Sequence, residues 1–350
     1  MTSPEARILF LADAGPSVGG GHVMRCLTLA RALEARGAAC SFVESAETAK
    51  LLARFHWQVR NLRPQADADD LPRLVAYAGR LAVGFDATIV VVDHYRLTAP
   101  QETFLRDSHR KIVSIDDLAD RKHDCDLLVD PGFGRNPKAY AGLAPESCQL
   151  LTGPDYALVR PEFADARPRA LSRRASHGPV KRVLVSLGLT DVGGVTAKVV
   201  EALLPKLGDH RLDVAVGGGA VSLERLGRIV EADRRVHLHV DSDEMATLMA
   251  DADVAVGAGG SSSWERCCMG LPTVTLVLAD NQAEVARRLD QADVTVAVDA
   301  RNAGFESALM GAWALLMDDP DVRAGMARRS AELCDGRGVG RVADQIVAMG

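Results

Sequence analysis

A 350-residue chain that is 47% hydrophobic has enough apolar material for two cores, and at 4% aromatic those cores are aliphatic. Its net charge of −6 argues against a nucleic-acid partner, and no apolar run reaches the roughly 18 residues of a membrane span, so stable membrane insertion is not expected. Seven scattered cysteines without a CxxC, and a start (MTSPEAR) that runs directly into a strand pattern rather than a leader, fit reduced thiols in a cytoplasmic protein.

Strand and helix patterns alternate along the chain. Candidate strands in the first half are 8–12, 40–43, 89–92, 112–115 and 127–129, with helices at 22–35, 47–54, 71–81 and 100–108. The second half places strands at 182–186, 212–216, 236–240, 254–256, 273–277 and 295–298. Its helices fall at 195–204, 243–250, 262–269, 282–290, 308–317 and 322–333, with a closing helix at 339–349. Short β-rich runs separated by helices imply parallel strands with crossover helices. The predicted fold is α/β: two doubly wound, Rossmann-like domains with an interdomain cleft. The expected boundaries are 1–165, a linker at 166–179 and 180–350, with the last helix free to cross back to the first domain. The linker carries the basic cluster Arg167, Arg169, Arg173, Arg174, His177, Lys181 and Arg182, read as a solvated charge run.

Ligands of such sheets bind beyond the carboxyl ends of the strands, so strand-end motifs carry the chemistry. The first is Gly19-Gly20-Gly21-His22, after the strand 8–12 and at the start of a helix. Glycines at a helix start expose backbone N–H groups to an anion. An imidazole there adds a titratable group, which suggests proton chemistry beside an anionic ligand. Arg25 and Cys26 stand where a dinucleotide fingerprint needs its third glycine, so a nicotinamide or flavin cofactor is not expected.

The second motif is Gly257-Ala258-Gly259-Gly260-Ser261-Ser262-Ser263-Trp264-Glu265. Its amides and hydroxyls suit a diphosphate, and Glu265 suits ribose hydroxyls; the serines also read as an ordinary helix cap. Asp280-Asn281-Gln282 ends the strand 273–277, as a helix cap or as polar contacts to a sugar or phosphate. Asp93-His94-Tyr95 and Ser114-Ile115-Asp116-Asp117 end two strands of the first half, and a carboxylate of the latter is expected to orient an imidazole or hold the attacking water. The triplets Asp124/Asp126, Asp241/Asp243 and Asp251/Asp253 have metal-binding composition but structural positions, so no required metal is expected.

Five segments in order along the chain together resemble the UDP-sugar hydrolases of pseudaminic acid biosynthesis. They are GGGHVMRCLTLARAL (19–33), VVDHYRL (91–97), IDDLADRKHDCDLLVDP (115–131), LLTGPDYALVRPEF (150–163) and GAGGSSSWERCCMGLPTVTLVLADNQ (257–282). The resemblance implies a fold like that of GT-B glycosyltransferases. It implies hydrolysis of UDP-2,4-diacetamido-2,4,6-trideoxy-β-L-altropyranose to UDP and free sugar, without a cofactor. It places the catalytic histidine at His22. It also places substrate-binding positions at Tyr95, Gly259, Gly260, Ser261, Glu265, Asp280, Asn281 and Gln282, and Gly20, Gly21 and Arg25 around His22 are expected to bind substrate as well. Leu189, within Ser186–Asp191, departs from the glycine of the family pattern, and 130–135 is less amide-rich than that pattern. A GT-B glycosyltransferase using a UDP-amino sugar is the alternative. The missing apolar or basic membrane patch disfavours a lipid acceptor and favours water. A nucleotide-sugar binding protein without catalysis is a third reading, against which His22 argues.

Overall fold

The computed structural model describes residues 6–15, 18–57, 70–106, 109–176 and 178–349. The chain divides into two compact units, Met1–Leu158 with Arg337–Gly350, and Val159–Gly336. Each contains one six-stranded, wholly parallel sheet, the GT-B-type pair of doubly wound sheets.

In the first unit the order of elements is β1 (Arg7–Ala12), α1 (Gly21–Glu34), β2 (Ala39–Phe42), α2 (Ala46–Arg54), α3 (Leu71–Gly84), β3 (Ile89–Asp93), α4 (Ala99–Leu105), β4 (Lys111–Ile115), β5 (Leu127–Asp130) and β6 (Gln149–Thr152). The second unit runs α5 (Pro161–Ala175), β7 (Arg182–Ser186), α6 (Val195–Leu203), β8 (Arg211–Val216), α7 (Leu223–Ala232), β9 (Val236–Val240), α8 (Met245–Asp251), β10 (Val254–Ala258), α9 (Ser262–Cys268), β11 (Thr273–Val277), α10 (Asp280–Gln291), β12 (Val296–Asp299), α11 (Phe305–Asp318) and α12 (Pro320–Leu333). The last helix, α13 (Gly338–Val347), returns to the first unit.

The central strands are buried on both faces, which is why they read as continuous β-branched runs; β3, IVVVD, is buried at every position. The first sheet has the order β2-β1-β3-β4-β5-β6 and the second β12-β11-β10-β7-β8-β9. The direction of winding therefore reverses between β1 and β3 in one sheet and between β7 and β10 in the other. At such a reversal the connecting helices depart to opposite faces and leave a crevice at the strands' carboxyl ends. The loops after β1 and β3, and after β7 and β10, hold the two motifs singled out by sequence.

Residues 166–179 are not an irregular linker: α5 covers most of the segment. Pro161 occupies the first turn, where proline is tolerated, and Pro168 stands inside the helix. Only Phe163 and Ala170 are buried on it, so no apolar period marked it as a helix. Arg167 and Arg174 are half-buried and tie the second unit together, whereas Arg169 and Arg173 are exposed, as a solvated run would be, and make ion pairs. Arg167 donates to the carbonyls of Cys268, Ala331 and Cys334, Arg169 pairs with Asp251, Arg173 with Asp253, and Arg174 donates to Met249 O at 2.6 Å. His177, and the end of the helix expected at 100–108, lie outside the described residues. Sequence reading also missed β6 and α7. Among the described residues, no helix is long and apolar enough to cross a membrane.

Candidate active site

The first site grows from the switch between β1 and β3. Gly20 stands at the N-cap of α1 and offers no side chain to its first N–H groups, and no acidic residue occupies the first turn. Gly19 has a φ of +79°, and its N–H bonds Gly15 O at 2.8 Å, which closes the turn. The helix then places His22 and Arg25 one turn apart on its buried face, together with Val23, Cys26 and Leu27.

Asp93, the last residue of β3, receives both side chains. His22 Nδ1 lies 2.5 Å from Asp93 Oδ1; Arg25 donates to Oδ2 from Nε at 2.6 Å and to Oδ1 from Nη2 at 2.7 Å. Asp93 is wholly buried. Burial alone would raise its carboxyl, but Arg25 and then His22 outweigh it and hold the group well below the usual carboxylate range. An ionised Asp93 only accepts, so the short contact puts a proton on His22 Nδ1; in a neutral ring the lone pair is then on Nε2. Arg25 also reaches Asp117 Oδ2 at 2.7 Å, and Tyr95 OH donates to Asp117 Oδ1 at 2.9 Å. The Tyr95 ring meets the imidazole edge-to-face, with centroids 4.5 Å apart.

His22, Arg25 and Tyr95, chosen from sequence, thus come together through two carboxylates. The expectation that the Asp116-Asp117 pair orients the imidazole is corrected: Asp93 does so, because it ends the strand adjacent to β1. Asp116 points into a separate buried network. It accepts from Arg121 Nη1 at 2.5 Å and lies 3.7 Å from His123 Nε2, while His123 Nδ1 is 2.9 Å from Glu102. Burial opposes charge on His123, but Asp116 and Glu102 outweigh it and push its pKa up to about 9. Arg135 links this network to the site, with Nε 2.6 Å from Asp130 and Nη2 donating to Asp117 O at 2.9 Å. His94, beside Asp93, is buried, and burial pulls its pKa down to about 4.

The second site lies after β10. Gly259 N–H bonds Leu276 O at 2.9 Å. A Cβ on Gly259 would come within 3.2 Å of Gln282 Cβ, so the Gly-Gly-Ser loop and the start of α10 are in contact. Gln282 Oε1 accepts from Leu278 N at 2.9 Å and braces the turn between β11 and α10. Asp280 faces solvent and pairs with Arg301, so its side chain is not drawn into this contact. Glu265 is held by Arg160, whose Nη2 and Nε lie 3.1 and 3.2 Å from Oε1. Ser261 makes no side-chain cap, and the hydroxyls of Ser262 and Ser263 accept instead from the buried Arg266, each at 3.0 Å.

Arg160 and Arg266 were missed by sequence reasoning. Arg160 is 105 residues from Glu265. Arg266 had one local signal, a cation four and three residues after two serines and followed by the apolar run Cys267–Leu271. The Asp-x-Asp triplets are engaged structurally: Asp124 and Asp126 by Arg106, Asp251 by Arg169 and Arg182, Asp253 by Arg173, and Asp241 by the N–H of Gly218.

Two doubly wound sheets with glycine-bearing loops at both switch points define a protein of the GT-B fold. No protein-family model matches the chain. Its homologues include the spore coat polysaccharide biosynthesis protein SpsG of Bacillus subtilis, 24% identical over 339 residues and 95% of each chain. They also include the UDP-2,4-diacetamido-2,4,6-trideoxy-β-L-altropyranose hydrolase of Campylobacter jejuni, 23% identical over 281 residues, 80% of this chain and 94% of that one. Among solved structures it is similar to Acinetobacter baumannii MurG, with a TM-score of 0.68 at 15% identity over 99% of this chain and 100% of that one. It is also similar to the spinosyn rhamnosyltransferase SpnG, with a TM-score of 0.65 at 15% identity over 98% and 99%.

Proposed function

We propose that the chain hydrolyses a UDP-activated diacetamido-trideoxy sugar, with His22 as the general base. The observation that carries this reading is the His22–Asp93 pair. An ionised, buried carboxylate fixes the tautomer of the neutral ring and leaves Nε2 as a proton acceptor at the uncapped start of α1. The homology to the Campylobacter jejuni hydrolase supplies the substrate class.

In the reaction, water oxygen bonds to the anomeric carbon as its proton passes to His22 Nε2. The bond from that carbon to the β-phosphate oxygen breaks, and its electron pair leaves on UDP. UDP carries that charge well, so the mechanism assigns no general acid. Attack opposite the leaving group inverts the anomeric carbon. Arg25 keeps Asp93 ionised and in place and is itself anchored by Asp117. Gly259, Gly260 and Ser261 are assigned to the diphosphate and Glu265 to the ribose. Gly20 and Gly21 are assigned to the sugar phosphate, Tyr95 to the sugar, and Asn281 and Gln282 to polar contacts beside the diphosphate. Asp280 is the least favoured of these assignments, since Arg301 holds it in solvent.

The test is incubation with UDP-2,4-diacetamido-2,4,6-trideoxy-β-L-altropyranose and no acceptor, in ¹⁸O-labelled water with EDTA. Label in the free sugar is expected. Label in UDP would mean attack at phosphorus and discard the role of His22. The similarity to the rhamnosyltransferase SpnG favours one second reading, sugar transfer by the same fold. No free sugar without an acceptor, and a glycosylated product with one, would select it.

A further inference from the structure

The proposed mechanism leaves one buried charge unused. Arg266 is 3% exposed, and its acceptors are all neutral oxygens. Nη2 donates to Ala258 O at 2.7 Å and to Ser263 Oγ at 3.0 Å; Nη1 donates to Ser262 Oγ at 3.0 Å. The adjacent carboxylate, Glu265, is engaged by Arg160. Burial pulls the Arg266 pKa down to about 10, against which Cys267 and Glu265 act only through charge and not by a hydrogen bond, and it still carries its charge near neutrality. Burying a cation without a carboxylate partner costs several kcal/mol in general.

The guanidinium lies directly beneath the loop. A Cβ on Gly257 would sit 2.6 Å from Arg266 Cζ and 2.9 Å from Nε, so Gly257 is the residue that lets the charge approach the backbone. Every side-chain hydrogen bond that Arg266 makes falls on the segment 258–263, which contains the proposed diphosphate loop. Arg174 provides the contrast. It too is a cation on carbonyls, those of Ala170, Met249 and Ala252, but it is half-buried and these precede β10, at the other end of the strand. Asp251 and Asp253 also act on Arg174.

We infer that Arg266 is a positioning residue for the diphosphate. It fixes the Gly257–Ser261 loop from below and leaves an unneutralised positive charge behind it, which a bound diphosphate completes. This rests on the assignment of that loop to UDP. The charge acts through the loop and not by touching substrate, in a buried setting where screening is weak. Its contribution therefore grows with the charge of the ligand.

The experiment is isothermal titration of the full chain with UDP, UMP and uridine, for wild type, Arg266→Met, Arg266→Lys, Gly257→Ala and the control Arg174→Met, with a thermal melt of each. Arg266→Met is expected to weaken UDP at least ~10-fold and uridine less than ~2-fold, with UMP between, as loss of one weakly screened charge predicts. Gly257→Ala, which displaces the guanidinium, is expected to follow it. Arg174→Met is expected to lower the melting temperature with the UDP-to-uridine ratio unchanged. If Arg266→Met fails to melt cooperatively, Gly257→Ala and Arg266→Lys carry the comparison. Arg266→Lys, which keeps the charge, is expected to retain most of the UDP-to-uridine ratio; an unchanged ratio in folded Arg266→Met or Gly257→Ala overturns the inference and leaves Arg266 as a loop brace. Failure of wild type to bind UDP more tightly than uridine overturns the diphosphate assignment itself.

Discussion

The two switch points are built from opposite materials. After β1 and β3, the residues are charged side chains that satisfy one another: His22, Arg25, Asp93 and Asp117, with Tyr95 closing the set. After β10, the loop is mostly backbone, braced by a single cation on neutral oxygens. A paired cluster holds one imidazole in a fixed orientation. A glycine loop over an unneutralised cation receives charge from a ligand. On the proposed reading, the first unit does the proton chemistry and the second holds the group that leaves.

The sharpest way to break that division is His22→Ala. Turnover should fall about 10²–10⁴-fold, the usual contribution of a general base, with the Kd for UDP within twofold. A collapse of UDP affinity with turnover of bound substrate intact would make His22 a binder. Next in size is Asp93→Asn, which leaves Arg25 with one carboxylate and His22 unoriented. It should lose turnover and about 3 kcal/mol of stability together, read by kcat and by denaturant unfolding. Unchanged stability would mean that the cluster is not held together by this carboxylate.

The histidines of the first unit sharpen the comparison through pH. The His123 pKa is raised from 6.5 to about 9 on folding, so its stabilisation is complete below about 6.5 and is lost as pH rises through 9. That shift corresponds to at most ~3 kcal/mol. His123→Gln should remove this alkaline slope from the chemical-denaturation midpoint, and a slope that persists unchanged would assign it elsewhere. His94 has the opposite sign: its pKa, lowered to about 4, makes stability fall as pH drops from 6.5 towards 4. The smallest effect expected concerns the second unit. Glu265→Gln should weaken UDP and uridine equally, about tenfold, since a ribose contact does not depend on phosphate, with kcat at saturation unchanged. Unequal losses would move Glu265 from the ribose to the diphosphate.

The parallel strands were legible because burial on both faces writes uninterrupted runs such as Ile89–Val92. The strand-end motifs were legible because glycine beside histidine, or beside three serines, is a local pattern. Partnerships across the sheet were not. Asp93 is 71 residues from His22, and its choice over Asp116 depends on strand order, which no local pattern encodes. The helix α5 was hidden by two prolines and an almost entirely polar surface. Arg266 was obscured because its burial depends on the glycine at 257.

The return of α13 has a consequence for how the chain is made. Val339, Val342, Ala343 and Ile346 are buried in the first unit, Arg36 just beyond α1 bonds Asp344 and Gly340 O, and a Cβ on Gly338 would meet Ala157 N at 2.6 Å. The first unit is thus complete only once α13 has been synthesised, after the whole sequence of the second unit. A chain that stops before α13 leaves the first unit unfinished, with an exposed seam along the helix of His22. Deleting residues 337–350 should make the first unit the protease-sensitive part in limited proteolysis while the second persists. Equal resistance of both would show that the final helix is dispensable to assembly. Packing of the helix that carries the proposed base thus waits on a segment that follows the whole second unit in sequence.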